Sequence, residues 1–250
     1  MLAILSPARN IRPFSLEGVK PGRPLFPKET GLLVDALRNY SPWELESLLD
    51  LNPERAFTLY DFYQHFDPAV PGTPALLSYY GAAFRNLNAH DFDPRDFSFA
   101  QEHLRILSAL YGLLRPADGI QPYRLGIKKE FRVNGQDLYE FWGDRLYRKL
   151  FQSGEPVVSL ASADYTRLAA PCLLPGDTLI TCRFLVQKPD GARGTVSSVR
   201  TARGQMARFL VKHRITEPEG LREFDWEGYR FVEGRSDARN YVFIQDRSRL

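Results

Sequence analysis

The sequence predicts a single domain of the α+β or mixed α/β class, a mixed sheet with helices around it, over residues 1–250. Three observations carry this. Short apolar runs of strand type are interleaved with longer stretches of helical periodicity. No Gly/Ser-rich linker, internal repeat or low-complexity tract divides the chain. With 44% apolar and 25% charged residues, the chain has the balance of an ordinary globular protein and the length to bury a sizeable core.

Leu2–Leu5 is a short strand, and Ser6-Pro7-Ala8-Arg9 the loop after it. A Ser and an Arg at the carboxyl end of a strand suit a ligand crevice, or equally a turn with a solvated cation. Pro13, Pro21, Pro24 and Pro27 with Gly18 and Gly22 mark residues 10–27 as irregular. A helix opens at Lys28 or Thr30 and runs to about Asn39. Ser41-Pro42-Trp43-Glu44 is a capping box with proline at the first helical position, and Asn52-Pro53-Glu54 repeats that signal ahead of the aromatic helix Ala56–Phe66. Its aromatic stripe reads as core, and His65 beside Asp67 as surface. Pro74–Tyr80 fits strand or helix, ended by Gly81. Asp96 or Ser98 begins a helix, and Leu104–Leu110 reads equally as helix or strand. Asp137 introduces a helix over Leu138–Phe151, and Pro156–Leu160 is a buried strand followed by a loop or short helix, Ala161–Tyr165. Thr178–Gln187 and Thr195–Val199 flank Lys188-Pro189-Asp190-Gly191 as a hairpin. Arg200–Ile215 is a helix, and Tyr229–Val232 and Tyr241–Gln245 are closing strands.

Phe99–Leu125 combines Leu104, Ile106, Leu107, Leu110, Leu113 and Leu114 with Arg105, Arg115 and Arg124, and sets Tyr111 and Tyr123 near the charges. Pro116, Gly119 and Pro122 bar a continuous helix through its second half. A bent backbone holding guanidinium groups and phenols at a surface suits a phosphate or another anion. A core segment whose arginines cap carbonyls and pair with Asp118 is the competing reading. In the helix Arg200–Ile215, Ala202, Met206, Phe209 and Leu210 gather on one side. Arg200, Arg203, Arg208, Lys212 and Arg214 share roughly the other half with no acid between them, which favours an anionic partner over a solvated face.

The net charge of +3 conceals a split. Residues 41–102 carry ten acidic side chains against three arginines, net −7, whereas residues 103–214 carry eighteen Lys/Arg against nine Asp/Glu, net +9. One face is expected to be negative and another positive. The opening MLAILSPARN is too short an apolar run for a signal peptide, and no later run approaches the ~20 residues of a membrane helix. The expectation is a cytosolic chain. Cys172 and Cys182 lie apart in apolar surroundings and read as buried reduced thiols, without the neighbours that activate a peroxide-reducing cysteine. His90-Asp91-Phe92-Asp93 has no second His near it to complete a metal site.

Taken together, SPAR near the start, HLRILSALYGLLRP with the following D and QPYRL, LYEFWGD, LAS-DY and ARGQMARF resemble the YaaA peroxide-stress-response family, in its usual order and over nearly the whole chain. The resemblance implies a cytoplasmic bacterial protein that aids survival of hydrogen peroxide, with effects on free iron and DNA damage. It implies a single mixed α/β fold with a helix-hairpin-helix-like element, a positively charged cleft and DNA binding. Family positions matched here include Ser6, Pro7, Arg105, Ser108, Tyr111 and Gly112. They continue with Arg115, Pro116, Asp118, Pro122, Tyr123 and Arg124, then Tyr139, Trp142, Ser162, Tyr165, Arg203, Gly204 and Arg208. Departures are Arg9 for a Lys, Tyr80-Gly81-Ala82 for Lys-Gly-Asp, Leu125-Gly126-Ile127 without the Glu-Met that follows PYRL, Thr201 for a Lys and Gln245 for an Arg.

The expected function is sequence-independent DNA binding without catalysis or cofactor. The DNA- or anion-binding set is Ser6, Arg9, Arg105, Tyr111, Gly112, Arg115, Tyr123, Arg124, Ser162, Tyr165, Arg200, Arg203 and Arg208. Arg9, Arg115, Arg124, Arg203 and Arg208 are expected to line one cleft, with Leu110-Tyr111-Gly112-Leu113 as the hairpin between helices. The rivals are an enzyme or small-molecule binder, in which Ser6, Asp118, Tyr123 and Ser162 form an anion pocket, and a regulator acting through the acidic face. No Ser-His-Asp arrangement, phosphate-binding glycine loop or metal-ligand cluster is readable for the former.

Overall fold

Four consecutive buried apolar residues form the first strand, β1 (Leu2–Leu5), and a strand buried on both faces belongs at the centre of a parallel sheet. The computed structural model describes residues 1–70, 72–128, 130–189 and 191–246. After β1 come a short β2 (Asn10–Ile11) and three helices: α1 (Pro27–Arg38), α2 (Pro42–Leu49) and α3 (Pro53–His65). Ser41 and Asn52 cap α2 and α3 as their sequence signals require. Pro74–Tyr80 is neither one strand nor one helix. It divides into β3 (Thr73–Pro74), a single turn α4 (Ala75–Ser78) and β4 (Tyr79–Tyr80), after which α5 (Ala82–Leu87) begins.

α6 (Pro94–His103) starts before Asp96, because Asp93 takes the capping position and Asp96 closes the capping box. The ambiguous Leu104–Leu110 resolves as β5 (Leu104–Ser108), followed by a tight turn and β6 (Gly112–Leu114). The segment Leu110-Tyr111-Gly112-Leu113 is therefore the bend of a buried β-hairpin, with no helix on either side of it. Gly112 has φ +71, and a Cβ there would lie 2.6 Å from the Trp142 ring, so this glycine serves the turn and its packing. β7 (Gly119–Ile120) and α7 (Leu138–Leu150) follow, with α7 interrupted at Gly143. Then come β8 (Val157–Ser159), one turn α8 (Ala163–Thr166), β9 (Leu179–Val186), α9 (Val196–Lys212), β10 (Tyr229–Phe231) and β11 (Asn240–Gln245).

The expected hairpin over 178–199 is half present. Lys188 and Gly191 exchange backbone hydrogen bonds and Val186 bridges Arg193, but Thr195 turns outward as the capping residue of α9 instead of entering a second strand. Asp190 lies outside the described residues. α9 accordingly begins four residues earlier than the basic run suggested.

The main sheet has the order β10-β11-β9-β8-β1-β5-β6. Its five inner strands are parallel, and β10 and β6 pair antiparallel at the two edges. β1 pairs with β5 through Ala3↔Leu104 and with β8 through Ala3↔Val158. One continuous core runs from Met1 to Phe243, which makes this a single mixed α/β domain. α9 packs on α5, α6 and β9. Cys182 is buried and Cys172 only half-buried, so the expectation of two buried thiols holds for one of them.

Candidate functional site

β1 and β8 are neighbours, but the chain leaves them in opposite directions, from β1 on to β5 and from β8 on to β9. Diverging connections open a crevice at the carboxyl ends of the two strands, the place where open α/β sheets receive ligands. A cleft of about 490 Å³ lies there, floored by Leu5, Leu160, Phe84 and Tyr123. Ser6, at the end of β1, and Ser162, beyond β8, join across it. The Ser162 amide donates to Ser6 Oγ at 2.7 Å, and Ser6 Oγ donates to Ser162 Oγ at 3.3 Å. Ser162 itself lines the cleft.

One wall is Tyr80–Phe84, from β4 and the start of α5, and a second is the segment Tyr123–Lys128. α9 contributes Arg200 and Arg203. Five cations line the space, Arg9, Arg124, Lys128, Arg200 and Arg203, against two carboxylates, Asp50 and Asp164. Lys128 is taken up by Asp50 at 2.7 Å, and that bond holds the Asp50 carboxyl below its usual range. Among the described residues no carboxylate pairs with any of the four arginines.

Arg203 is the most exceptional of the four. Its Nε is buried without a hydrogen-bond partner. Burial, reinforced by the neighbouring Arg200, lowers its pKa, while Cys182 opposes the shift. Arg124 is likewise lowered, by burial first and then by Arg9 and Arg55. Desolvated cations with no counter-ion are costly, and an anion in the cleft removes that cost.

Tyr123 is fixed by a buried hydroxyl chain. Ser108 Oγ accepts from the amides of Leu110 (3.2 Å) and Tyr111 (3.0 Å), which occupies both lone pairs. It therefore donates to Tyr123 Oη at 2.7 Å, and Tyr123 donates on to Tyr79 Oη at 2.7 Å. Burial pushes the pKa of both phenols well up, so they stay neutral.

Of the residues singled out from sequence, Ser6, Arg9, Tyr123, Arg124, Ser162, Tyr165, Arg200 and Arg203 are brought together around the cleft. Five are not, so the single-cleft expectation for the arginines is corrected. Arg115 turns to Asp118, whose buried carboxylate it meets at 2.9 Å. Arg105 donates to the Gln101 and Leu104 carbonyls. The Tyr111 hydroxyl accepts from the Gln121 amide, and Gly112 packs on Trp142. Arg208 makes a two-point pair with Asp91, at 2.7 and 2.8 Å. Lys212 meets Asp96 at 2.5 Å and Arg214 meets it at 2.7 Å, so the acids missing from the α9 sequence are supplied across the fold.

Among the sequence departures, Tyr80 and Ala82 line the cleft, and Tyr80 carries Arg12 over its ring at 3.6 Å and Arg85 at 5.4 Å. Thr201 does not line it, and Gln245 is buried at the end of β11, where it donates to the Glu227 carbonyl. Lys128, Asp50 and Asp164 were missed. Asp50 sits in a left-handed cap after α2, and nothing in the sequence ties that position to Lys128. Among the described residues no cluster of His, Cys, Asp and Glu is arranged to hold a metal ion, and no helix is long and apolar enough to cross a membrane.

Comparison with known proteins yields one family and a set of relatives. The family model described as peroxide stress protein YaaA matches residues 1–235. A UPF0246 protein of Clostridioides difficile is 31% identical over 98% of this chain and 100% of its own length. One of Saccharophagus degradans is 37% identical over 98% of this chain and 99% of its own. A third, from Lactiplantibacillus plantarum, is 37% identical over 88% and 90%.

Proposed function

Because the chain belongs to the YaaA family of peroxide stress proteins, we propose that its part in that response is to bind phosphate groups in the cleft, those of DNA above all, in the cytoplasm and without catalysing a reaction. The observation that carries the reading is Arg203, a desolvated guanidinium at the cleft wall with its Nε unbonded and no carboxylate beside it. Arg9, Arg124 and Arg200 surround the same space, and guanidinium groups match phosphate oxygens in geometry as well as charge. Contacts of this kind hold a nucleic acid without reading its bases. The basic grip is narrower than the sequence suggests, since Arg115, Arg208, Lys212 and Arg214 are paired with carboxylates within the protein.

The test is binding of the full chain to unrelated duplex, bulged and branched DNAs over a range of salt. The logarithm of affinity is expected to fall linearly with the logarithm of salt concentration, with a slope of about −0.9 per phosphate neutralised. Absence of binding to every DNA at low salt, where attraction is strongest, overturns the DNA reading.

A second reading, a small anionic ligand, is favoured by the position of the cleft between diverging strands. It predicts a concentration-dependent rise in melting temperature with low-molecular-weight phosphate esters.

A further inference from the structure

A second cavity of about 410 Å³ adjoins the first. The two share a wall made of Arg9, Asn10, Tyr123 and Arg124. Beyond that wall the character of the lining changes to Ile11, Leu51, Leu59, Phe62 and Pro122. Phe62 comes from α3, half-buried, with its ring edge-to-face against Tyr63 and Phe66. The aromatic helix α3, which the sequence offered only as core, thus turns one ring into a cavity.

The junction is the most heavily cationic part of the site. Arg9 and Arg124 lie on the shared wall and Arg55 lines the apolar lobe. Arg9 and Arg55 both stand close enough to Arg124 to oppose its charge. The acid acting on Arg124 is Asp50, which is already bonded to Lys128. Three like charges therefore meet where a polar chamber joins an apolar one. The complementary ligand carries negative charge at one end and a flat, largely apolar group a few bonds away. An inorganic anion leaves the apolar lobe empty, and an uncharged aromatic leaves the arginines unpaired. Paired bases of a duplex are stacked inside it and out of reach of a side pocket, whereas an unpaired base is free to enter one.

We propose that the two cavities form one site for a nucleotide whose base is unpaired, with the phosphate between Arg9 and Arg124 and the base in the apolar lobe against Phe62. The proposal rests on the phosphate-binding reading of the cleft and adds the class of ligand. A free mononucleotide and an unpaired nucleotide within a strand share this chemistry. Tyr123, immobilised by Ser108 and Tyr79, forms the fixed partition between the two ends of the ligand. Neither Arg55 nor Phe62 belongs to a motif that marks the cleft in sequence, so the apolar lobe is visible only in three dimensions.

The experiment titrates the full chain with thymidine 5′-monophosphate, deoxyribose 5-phosphate and inorganic phosphate. The same protein is then titrated with an oligothymidylate and with an abasic oligomer of equal length. The base-bearing member of each pair is expected to bind roughly five- to 150-fold more tightly, the range that one base–aromatic stack contributes. Phe62→Ala should remove that difference and leave affinity for inorganic phosphate unchanged. Since Phe62 also packs in α3, Thr58→Trp serves as the second variant. Thr58 is exposed at the apolar lobe, and an indole there fills the lobe from outside the core. A gain from mononucleotide to oligomer identifies the strand as the ligand, and equal affinity identifies the free nucleotide. Equal binding of base-bearing and base-free ligands overturns the inference while phosphate binding survives. Failure of phosphate, nucleotides and DNA alike overturns the phosphate reading itself.

Discussion

Gly204 of α9 lies directly over the carbonyl of Ala83 in α5, so close that a Cβ at position 204 would overlap the Ala83 oxygen. The two helices meet backbone to backbone, and this approach brings Arg200 and Arg203 to the cleft that Gly81–Phe84 also line. Gly204→Ala is therefore expected to push α9 away. Overpacking of this kind costs about 1–3 kcal/mol, and more where the obstructing atoms are backbone. Chemical denaturation should show the loss of stability, and phosphate affinity should fall in the fraction that still folds. A variant as stable as wild type would contradict the close approach.

Arg203 and Arg208 lie on one helix but have different tasks. Arg203→Ala should reduce the salt slope of DNA binding by about one, the value for a single phosphate contact. Arg208→Ala should leave the slope unchanged, because its charge is spent on Asp91. Anisotropy titrations at several salt concentrations separate the two, and a slope change confined to Arg208→Ala would reverse the assignment.

Asp96 supplies a pH dependence. Burial alone would raise its pKa, but bonds from Lys212 and Arg214 and from the Asp93 amide outweigh burial and lower it. Its folded pKa lies below the unfolded value of about 3.9, so its stabilisation is present above that pH and is lost as pH falls through the folded pKa. Asp96→Asn is expected to cost about 1–3 kcal/mol near neutral pH, towards the lower end because both cations are a third exposed. The difference from wild type should vanish in acid, as urea unfolding between pH 7 and pH 2 would reveal.

Cys182 is expected to survive peroxide. Burial pushes its thiol up to about 12, which leaves almost no thiolate to react. Mass spectrometry of the folded protein after hydrogen peroxide treatment should find Cys182 unmodified, with any oxidation confined to the half-buried Cys172. The Cys172→Ser/Cys182→Ser variant should bind as wild type does. Sulfenic acid at Cys182 in folded protein would refute this.

The sequence displayed several helix caps because these depend on neighbours. The proline and Asx signals at Ser41, Asn52 and Asp137 all became helix starts. The cleft was legible in part, through Ser6, Arg9, Tyr123, Arg124, Ser162, Tyr165, Arg200 and Arg203. What failed was the inference from local charge. The basic run from Arg200 to Arg214 contains no acid, yet Asp91 and Asp96 pair with three of its cations from more than a hundred residues away. Periodicity reports which residues share a helix face and is silent on what the fold brings opposite that face. For the same reason Leu104–Ser108 stayed ambiguous. A short apolar run buried on all sides carries no period, and its pairing with β1 and β6 decides the matter.

The central position of β1 has a consequence for how the chain is made. Leu2 pairs with Val157 and Ala3 with Leu104, so the first strand synthesised lacks one neighbour until residue 104 is available and the other until residue 157. At about 5–20 residues per second, the ribosome leaves this apolar strand without its second partner for roughly ten to thirty seconds. Contacts so distant along the chain also slow the search for the native arrangement. The crevice at the end of β1 thus closes late, once residue 157 is available, and until then the strand Leu2–Leu5 keeps one edge unpaired.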